Sequence, residues 1–358
     1  MSAISMATLF FTATTTPLSD SGVTSTSTLF IPLWNNLNGA PNDVVCFVGK
    51  ADGLETDVAS FYGGGGEQCQ AANGCGVHVH AGTDCTSTET QLGHWYNNAT
   101  LSSDPWAIIG YTKTDSNGHG EFANCIRTGY DLTADPSLLD GRAFIVHSED
   151  GSRTSCGLIE KKDDVELAVF VAETTPIAGS TPPMGNTGVK SLVSVLSILA
   201  DEDGVSDGVC YQGYAMSLEP DVESFLLGTG SIQCDIANGC GTHIHNGTGC
   251  ETTEGQGGHY YDSGELSVDP WLVESYYTTD SSGSGAFVGC VLTGSGATKY
   301  ENRPFVVHGT DGSRLSCGIL NRTTEVDMTN PSSSAQVVSC TISIVTSVVL
   351  SSISFLIS

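Results

Sequence analysis

The hexapeptide Cys75-Gly76-Val77-His78-Val79-His80 recurs 165 positions later (240 − 75) as Cys240-Gly241-Thr242-His243-Ile244-His245. A duplication on that scale restricts the chain to two copies of one unit. Two histidines at alternate positions of a β-type run point to the same face of a strand, which is how a rigid sheet presents two imidazoles to one metal ion. Each copy continues through a glycine and a cysteine, Gly82 and Cys85 or Gly247 and Cys250. Next come Gly93-His94-Trp95-Tyr96 or Gly258-His259-Tyr260-Tyr261, and each copy closes on a β-branched or aromatic run with one more histidine, Phe144-Ile145-Val146-His147 or Phe305-Val306-Val307-His308.

Eight of the nine histidines fall into these two constellations, at offsets of 165, 165, 165 and 161 (243 − 78, 245 − 80, 259 − 94, 308 − 147); only His119 stands apart. A single histidine on a half-buried strand is an ordinary polar residue. Four that recur together in matched settings point to metal ligation, imidazole being the commonest protein ligand for a metal.

With 358 residues the chain has room for two domains of ordinary size. Glycine is abundant at 43, and short Val/Ile/Phe/Tyr runs are broken by Gly, Asn, Asp and Ser with no long helical period, which predicts an all-β fold. A formal net charge of −28 argues against nucleic acid or anionic lipid as partners, since both require clustered Lys and Arg. Twelve of the thirteen cysteines divide six and six: Cys46, Cys69, Cys75, Cys85, Cys125 and Cys156 against Cys210, Cys234, Cys240, Cys250, Cys290 and Cys317. Even counts at repeating spacings indicate disulfides and an oxidising compartment. A thiolate metal site is the rival reading, disfavoured because no CxxC pair occurs and the histidines already form a complete ligand set. Cys69 with Cys75 and Cys46 with Cys125, echoed by Cys234 with Cys240 and Cys210 with Cys290, are candidate pairs whose connectivity spacing alone leaves open.

Residues 1–24 are Ser/Thr-rich with a short apolar patch and no early Lys or Arg, which reads as a weak or incomplete secretion signal. The first repeat is expected over 25–165, a Pro/Gly/Thr linker over 166–188 and the second repeat over 189–322, with nothing in the linker that demands tight packing of the two domains. A Ser-rich stalk (323–336) and an uncharged apolar tail (337–358), which contains Cys340, follow. Small residues before such a tail resemble a glycosylphosphatidylinositol attachment signal, with Ser332, Ser333 or Ser334 as the attachment residue; a retained membrane helix or a buried strand are the alternatives. Sequons at Asn98, Asn246 and Asn321 are compatible with a secreted glycoprotein.

Taken together, the His-X-His followed by a cysteine, the Gly-His-aromatic-Tyr, the Val-His strand and the Gly-Ser-Arg-X-X-Cys-Gly motifs (Gly151 to Gly157 and Gly312 to Gly318) resemble the copper/zinc superoxide dismutase family. The likeness is greatest to its extracellular copper-only tandem-repeat relatives. The resemblance implies two tandem Greek-key β-barrels of the immunoglobulin-like type and one copper per repeat. The ligands would be His78, His80, His94 and His147, then His243, His245, His259 and His308. It also implies disulfides joining Cys85 to Cys156 and Cys250 to Cys317, superoxide as substrate, and Arg153 and Arg314 as guides for that small anion. Zinc is not expected: between His94 and His147 the chain offers only His119, matched by Ser284 in the second repeat. Without zinc, some other group must orient His94 and His259. Asp104 and Asp269, ten positions on in a repeated Asp-Pro-Trp, are the candidates. The same motif also reads simply as a turn with tryptophan packed beneath it. Two further readings stand beside the enzyme: a cell-surface protein that binds copper without turnover, and an immunoglobulin-like adhesion module, which leaves the repeated histidines unexplained.

Overall fold

The computed structural model describes residues 5–35, 42–59, 67–163, 165, 167–181, 183, 188–198, 208–222, 232–234, 236–273, 279–295 and 299–323. The candidate lipid-attachment residues Ser332, Ser333 and Ser334, most of the stalk and the apolar tail lie outside them. Alternating β-branched and aromatic residues build eight strands in the first repeat: β1 (Ser5–Pro17), β2 (Thr24–Asn35), β3 (Val44–Asp52), β4 (Val77–His80), β5 (Gly120–Arg127), β6 (Ala143–His147), β7 (Arg153–Leu158) and β8 (Glu160–Lys162). The second repeat supplies β9 (Leu167–Pro176), β10 (Lys190–Ile198), β11 (Gly208–Met216), β12 (Thr242–Ile244), β13 (Gly285–Leu292), β14 (Pro304–His308), β15 (Arg314–Ile319) and β16 (Asn321–Thr323). One-turn helices α1 (Thr88–Gln91) and α2 (Thr253–Gln256) follow the His-X-His strands.

The first sheet runs β4-β6-β7-β1-β2-β3-β5 with β8 on β1, and the second repeats that order as β12-β14-β15-β9-β10-β11-β13 with β16 on β9. Both are nearly closed antiparallel sheets, so the protein is two tandem β-barrels of one topology. Each barrel is filled by its own apolar cluster, including Phe47, Trp106, Phe122 and Phe144 in the first and Tyr211, Trp271, Phe287 and Phe305 in the second.

Two boundaries differ from the sequence expectation. Residues 1–24 do not stand outside the first repeat: Ser5 to Thr15 pair with Asn35 to Ser25, and Thr16 and Pro17 continue onto β7. Threonine conceals this strand, because its β-branched side chain favours extended backbone while leaving the composition polar. The expected linker is likewise shorter, since β8 ends at Lys162 and Leu167–Pro176 is already β9, the strand that corresponds to β1.

The domains also pack closely. Phe10, Phe30, Val44, Cys46 and Val48 of the first form one buried cluster with Val169, Leu192, Leu196, Val288 and Cys290 of the second. Strand β3 is therefore buried on both faces, Val45 and Phe47 toward the barrel core and Val44, Cys46 and Val48 toward the other domain. Across this interface the buried Gln212 Nε2 donates to Thr8 Oγ1 at 2.8 Å.

Candidate metal centres

Valines 77 and 79 of β4 turn into the barrel, so alternation sends His78 and His80 to the other face, where each is still only 1% exposed. His147 lies on the adjacent strand β6, after a register shift between Val146 and His147 that re-aims its side chain. His94 comes from the loop beyond α1 and meets His80 through an isolated β-bridge. Residue 76 must be glycine, because a Cβ there would run into the His78 ring; Gly241 stands in the same relation to His243. The four rings converge, with His78 centred 4.3 Å from His94 and 4.7 Å from His147, and His80 5.0 Å from His94. The corresponding separations in the second domain are 4.3, 4.9 and 5.1 Å.

The second nitrogen of each ring fixes its tautomer. His80 Nδ1 donates to the Leu92 carbonyl at 3.0 Å, His147 Nδ1 to the Gly76 carbonyl at 3.3 Å and His78 Nε2 to the Ile109 carbonyl at 2.9 Å. His94 Nδ1 donates to Asp104 Oδ2 at 2.6 Å. Carbonyl and carboxylate oxygens only accept, so the opposite nitrogens carry lone pairs. Three of these, His78 Nδ1, His80 Nε2 and His147 Nε2, are buried without a hydrogen-bond partner. Orphaned buried polar atoms are rare in proteins, and three aimed at one point are what a bound cation would satisfy. In each set of four histidines, the ligand atoms all lie within 4.8 Å of one another. The second domain keeps Nδ1 as the donor in three rings but changes one acceptor: His245 Nδ1 is on the Gly257 carbonyl and His259 Nδ1 on Asp269 Oδ2, at 3.0 and 2.7 Å, while His308 Nδ1 is on the Gly312 carbonyl at 2.9 Å rather than on Gly241, the match of Gly76. His245 Nε2 and His308 Nε2 face each other at 3.4 Å.

Burial, reinforced by the neighbouring rings, lowers the His78 pKa well below the usual imidazole value and takes His80 and His147 to about 3. In the second domain, burial takes His245 to about 3 and His308 to about 4. These rings are neutral at physiological pH, the form that binds metal. Burial works against the Asp104 carboxylate, but the His94 hydrogen bond and the Trp106 N–H outweigh it and hold its pKa below the ordinary value.

Both readings of the Asp-Pro-Trp motif hold together. Asp104 Oδ1 accepts the Trp106 N–H at 2.9 Å while Oδ2 holds His94, and fully buried Trp106 packs beneath and donates Nε1–H to the Trp95 carbonyl. Asp269 and Trp271 do the same. Arg153 lies in register with His147 across β6 and β7, and Arg314 with His308. Arg153 donates to the Leu92 carbonyl at 2.6 Å, the same oxygen that holds His80, and to Gln91 Oε1 at 2.8 Å; Arg314 does likewise with Gly257 and Gln256. The buried glutamines, which also donate to the Cys85 and Cys250 carbonyls, lie beside the two sites and are marked by no motif. Their matched offset, 165 (256 − 91), was the available signal.

The disulfides are Cys46–Cys125, Cys69–Cys75 and Cys85–Cys156, then Cys210–Cys290, Cys234–Cys240 and Cys250–Cys317. A third cluster of potential ligands, Cys46, Cys125 and Cys290, lies between the domains, but disulfides occupy all three sulfurs. His119 sits apart from both sites, on Asp52 at 2.8 Å. Asn98, Asn246 and Asn321 are exposed.

The chain matches no protein-family model and no curated protein sequence. Fold and sites define a class directly: a disulfide-bonded, two-barrel protein with a pair of four-imidazole sites able to hold a metal ion. Six disulfides indicate an extracellular or secreted protein, and among the described residues no helix is long and apolar enough to cross a membrane.

Proposed function

We propose that the protein is an extracellular copper-dependent superoxide dismutase of the copper/zinc superoxide dismutase family, with one copper-only site per domain. The observation that carries the reading is the convergence, twice over, of four imidazoles beside an arginine held in place by the same loop, with tautomers fixed by hydrogen bonds for all four rings of the first set and for His245, His259 and His308 of the second. An all-nitrogen ligand set suits copper, which when bound would supply one-electron chemistry by alternating between Cu(II) and Cu(I). The overall reaction converts two superoxide ions and two protons into O₂ and H₂O₂. A second, bridged zinc is not expected, because His94 and His259 commit their Nδ1–H groups to Asp104 and Asp269 and have no lone pair left on that side.

The protein's own groups do the rest. His78, His80, His94 and His147, with their counterparts His243, His245, His259 and His308, fix the coordination. Asp104 and Asp269 orient the third imidazole. Arg153 and Arg314 supply the local positive charge that a small anion needs near an otherwise acidic protein. The exposed sequons fit a glycoprotein, and the C-terminal segment fits a lipid anchor that would place the enzyme at the cell surface.

The alternative is a copper-binding cell-surface protein without turnover. Rapid-mixing measurement of superoxide decay by the copper-loaded protein separates the two. Fast decay that falls by about half with His147→Ala or His308→Ala, and to background with both, supports the enzyme. Full copper loading with decay no faster than the buffer's assigns the copper-binding role instead.

A further inference from the structure

The chain has six arginines, and four fall into two matched pairs. Beside Arg153 and Arg314 stand Arg142 and Arg303, offset by 161 (303 − 142), as are His147 and His308. Arg142 Nη1 donates to the carbonyl of Ala81, the residue directly after His80, and Nε donates to the Leu138 carbonyl at 3.0 Å. Its guanidinium lies 5.6 Å from the ring centre of Trp95, the residue directly after His94. Arg303 repeats each contact: Nη1 to the Asn246 carbonyl at 2.6 Å, Nε to the Lys299 carbonyl at 3.4 Å and the guanidinium 4.5 Å over Tyr260. A planar, multiply donating guanidinium is the side chain able to cover an aromatic face and reach two carbonyls at once.

The two segments joined in this way carry the second and third ligands. Backbone bonds already hold them, Ala81 N to the Gly93 carbonyl at 2.8 Å and Trp95 N to the Val79 carbonyl at 2.9 Å. We propose that Arg142 and Arg303 are positioning residues of the two metal sites, clamping the exit of the His-X-His strand onto the aromatic residue after the third ligand so that His80 and His94, or His245 and His259, keep their spacing. The role in metal retention rests on the four-histidine groups being metal sites; the clamp itself does not.

Two readouts on the full chain test it, using Arg142→Met, Arg142→Lys, Arg303→Met and Arg303→Lys. In metal-free protein, backbone amide exchange over 79–83 and 93–96 should quicken in Arg142→Met while the second domain is unchanged, and Arg303→Met should mirror this. In Cu(II)-loaded protein, a chelator should strip the affected site about tenfold faster, in line with the loss typical when a group supporting a metal ligand is removed. The Cu(II) resonance of that site should broaden or shift. Lysine, which keeps one donor but not the fork, should restore part of both effects. Exchange and copper release within twofold of the parent in both methionine variants would overturn the proposal; should those variants fail to fold, parental values in both lysine variants would overturn it. If the parent takes up no Cu(II), the metal reading fails on its own, and the exchange result still decides the clamp.

Discussion

Asp104→Asn isolates one hydrogen bond of the first centre. Asp104 Oδ1 accepts the Trp106 N–H and Oδ2 accepts the His94 Nδ1–H, so an asparagine that keeps its oxygen on Trp106 turns its NH₂ group toward His94. Donor then faces donor. His94 must give up that bond or move its proton to Nε2, the nitrogen needed for the metal. A hydrogen bond to a charged group contributes about 1.5–3 kcal/mol when well shielded. The Asp104 side chain is 33% exposed, which places the loss toward the lower end. About 1.5–2 kcal/mol corresponds to roughly a 10- to 30-fold weaker copper Kd. Asp269, at 22% exposed, is better shielded, so Asp269→Asn should cost its own site somewhat more. Competitive titration against a chelator of known affinity reads this directly, with the second site disabled by His245→Ala and His308→Ala for the Asp104 variant and the first by His80→Ala and His147→Ala for Asp269. Thermal melting of the metal-free variants controls for folding. A copper affinity within twofold of the parent would refute the orienting role.

Other outcomes follow from the same geometry. Deleting residues 1–24 removes β1, which holds β2, β7 and β8, so the first domain should lose its cooperative unfolding transition even though both histidine sets remain and the second barrel keeps its own β9; a parental melt of the first domain would contradict the strand assignment. Gly76→Ala should weaken copper binding at the first site alone, because the new methyl displaces the His78 ring, and unchanged affinity at that site would count against the packing described. Metal-free protein should lose stability on acidification. His80, His147 and His245 have folded pKa values lowered to about 3 and His308 to about 4, below the ordinary 6.5, so the unfolded chain takes up protons first. Their contribution is complete above about pH 6.5 and declines toward pH 3, at up to about 1.4 kcal/mol per pH unit for each ring. Urea midpoints that are equal at pH 7.5 and pH 5 would argue against buried neutral imidazoles.

Much of the site is legible in the sequence because strand alternation and duplication act together. His78 and His80 share a face by period, and the second copy separates them from incidental histidines such as His119. The Asp104 and Asp269 contacts follow from a fixed ten-residue loop repeated in both domains. What escapes is of another kind. The Thr-rich β1 carries its strand signal in branching rather than hydrophobicity. The interface between domains is written in β3 as Val44-Val45-Cys46-Phe47-Val48, an unbroken apolar run that signals burial on both faces but does not say what covers the second. Gln91, Gln256, Arg142 and Arg303 each donate to a backbone carbonyl, an acceptor that leaves no mark in the partner's sequence, although the glutamines also accept from Arg153 and Arg314 on their own oxygens.

Elemental analysis of the full chain, produced through an oxidising secretory route, decides whether each four-histidine site holds copper alone. About two coppers per chain with negligible zinc are expected, falling to about one with His147→Ala or His308→Ala alone and to none when both are replaced. Stoichiometric zinc, or copper that survives the double replacement, would contradict the copper-only assignment.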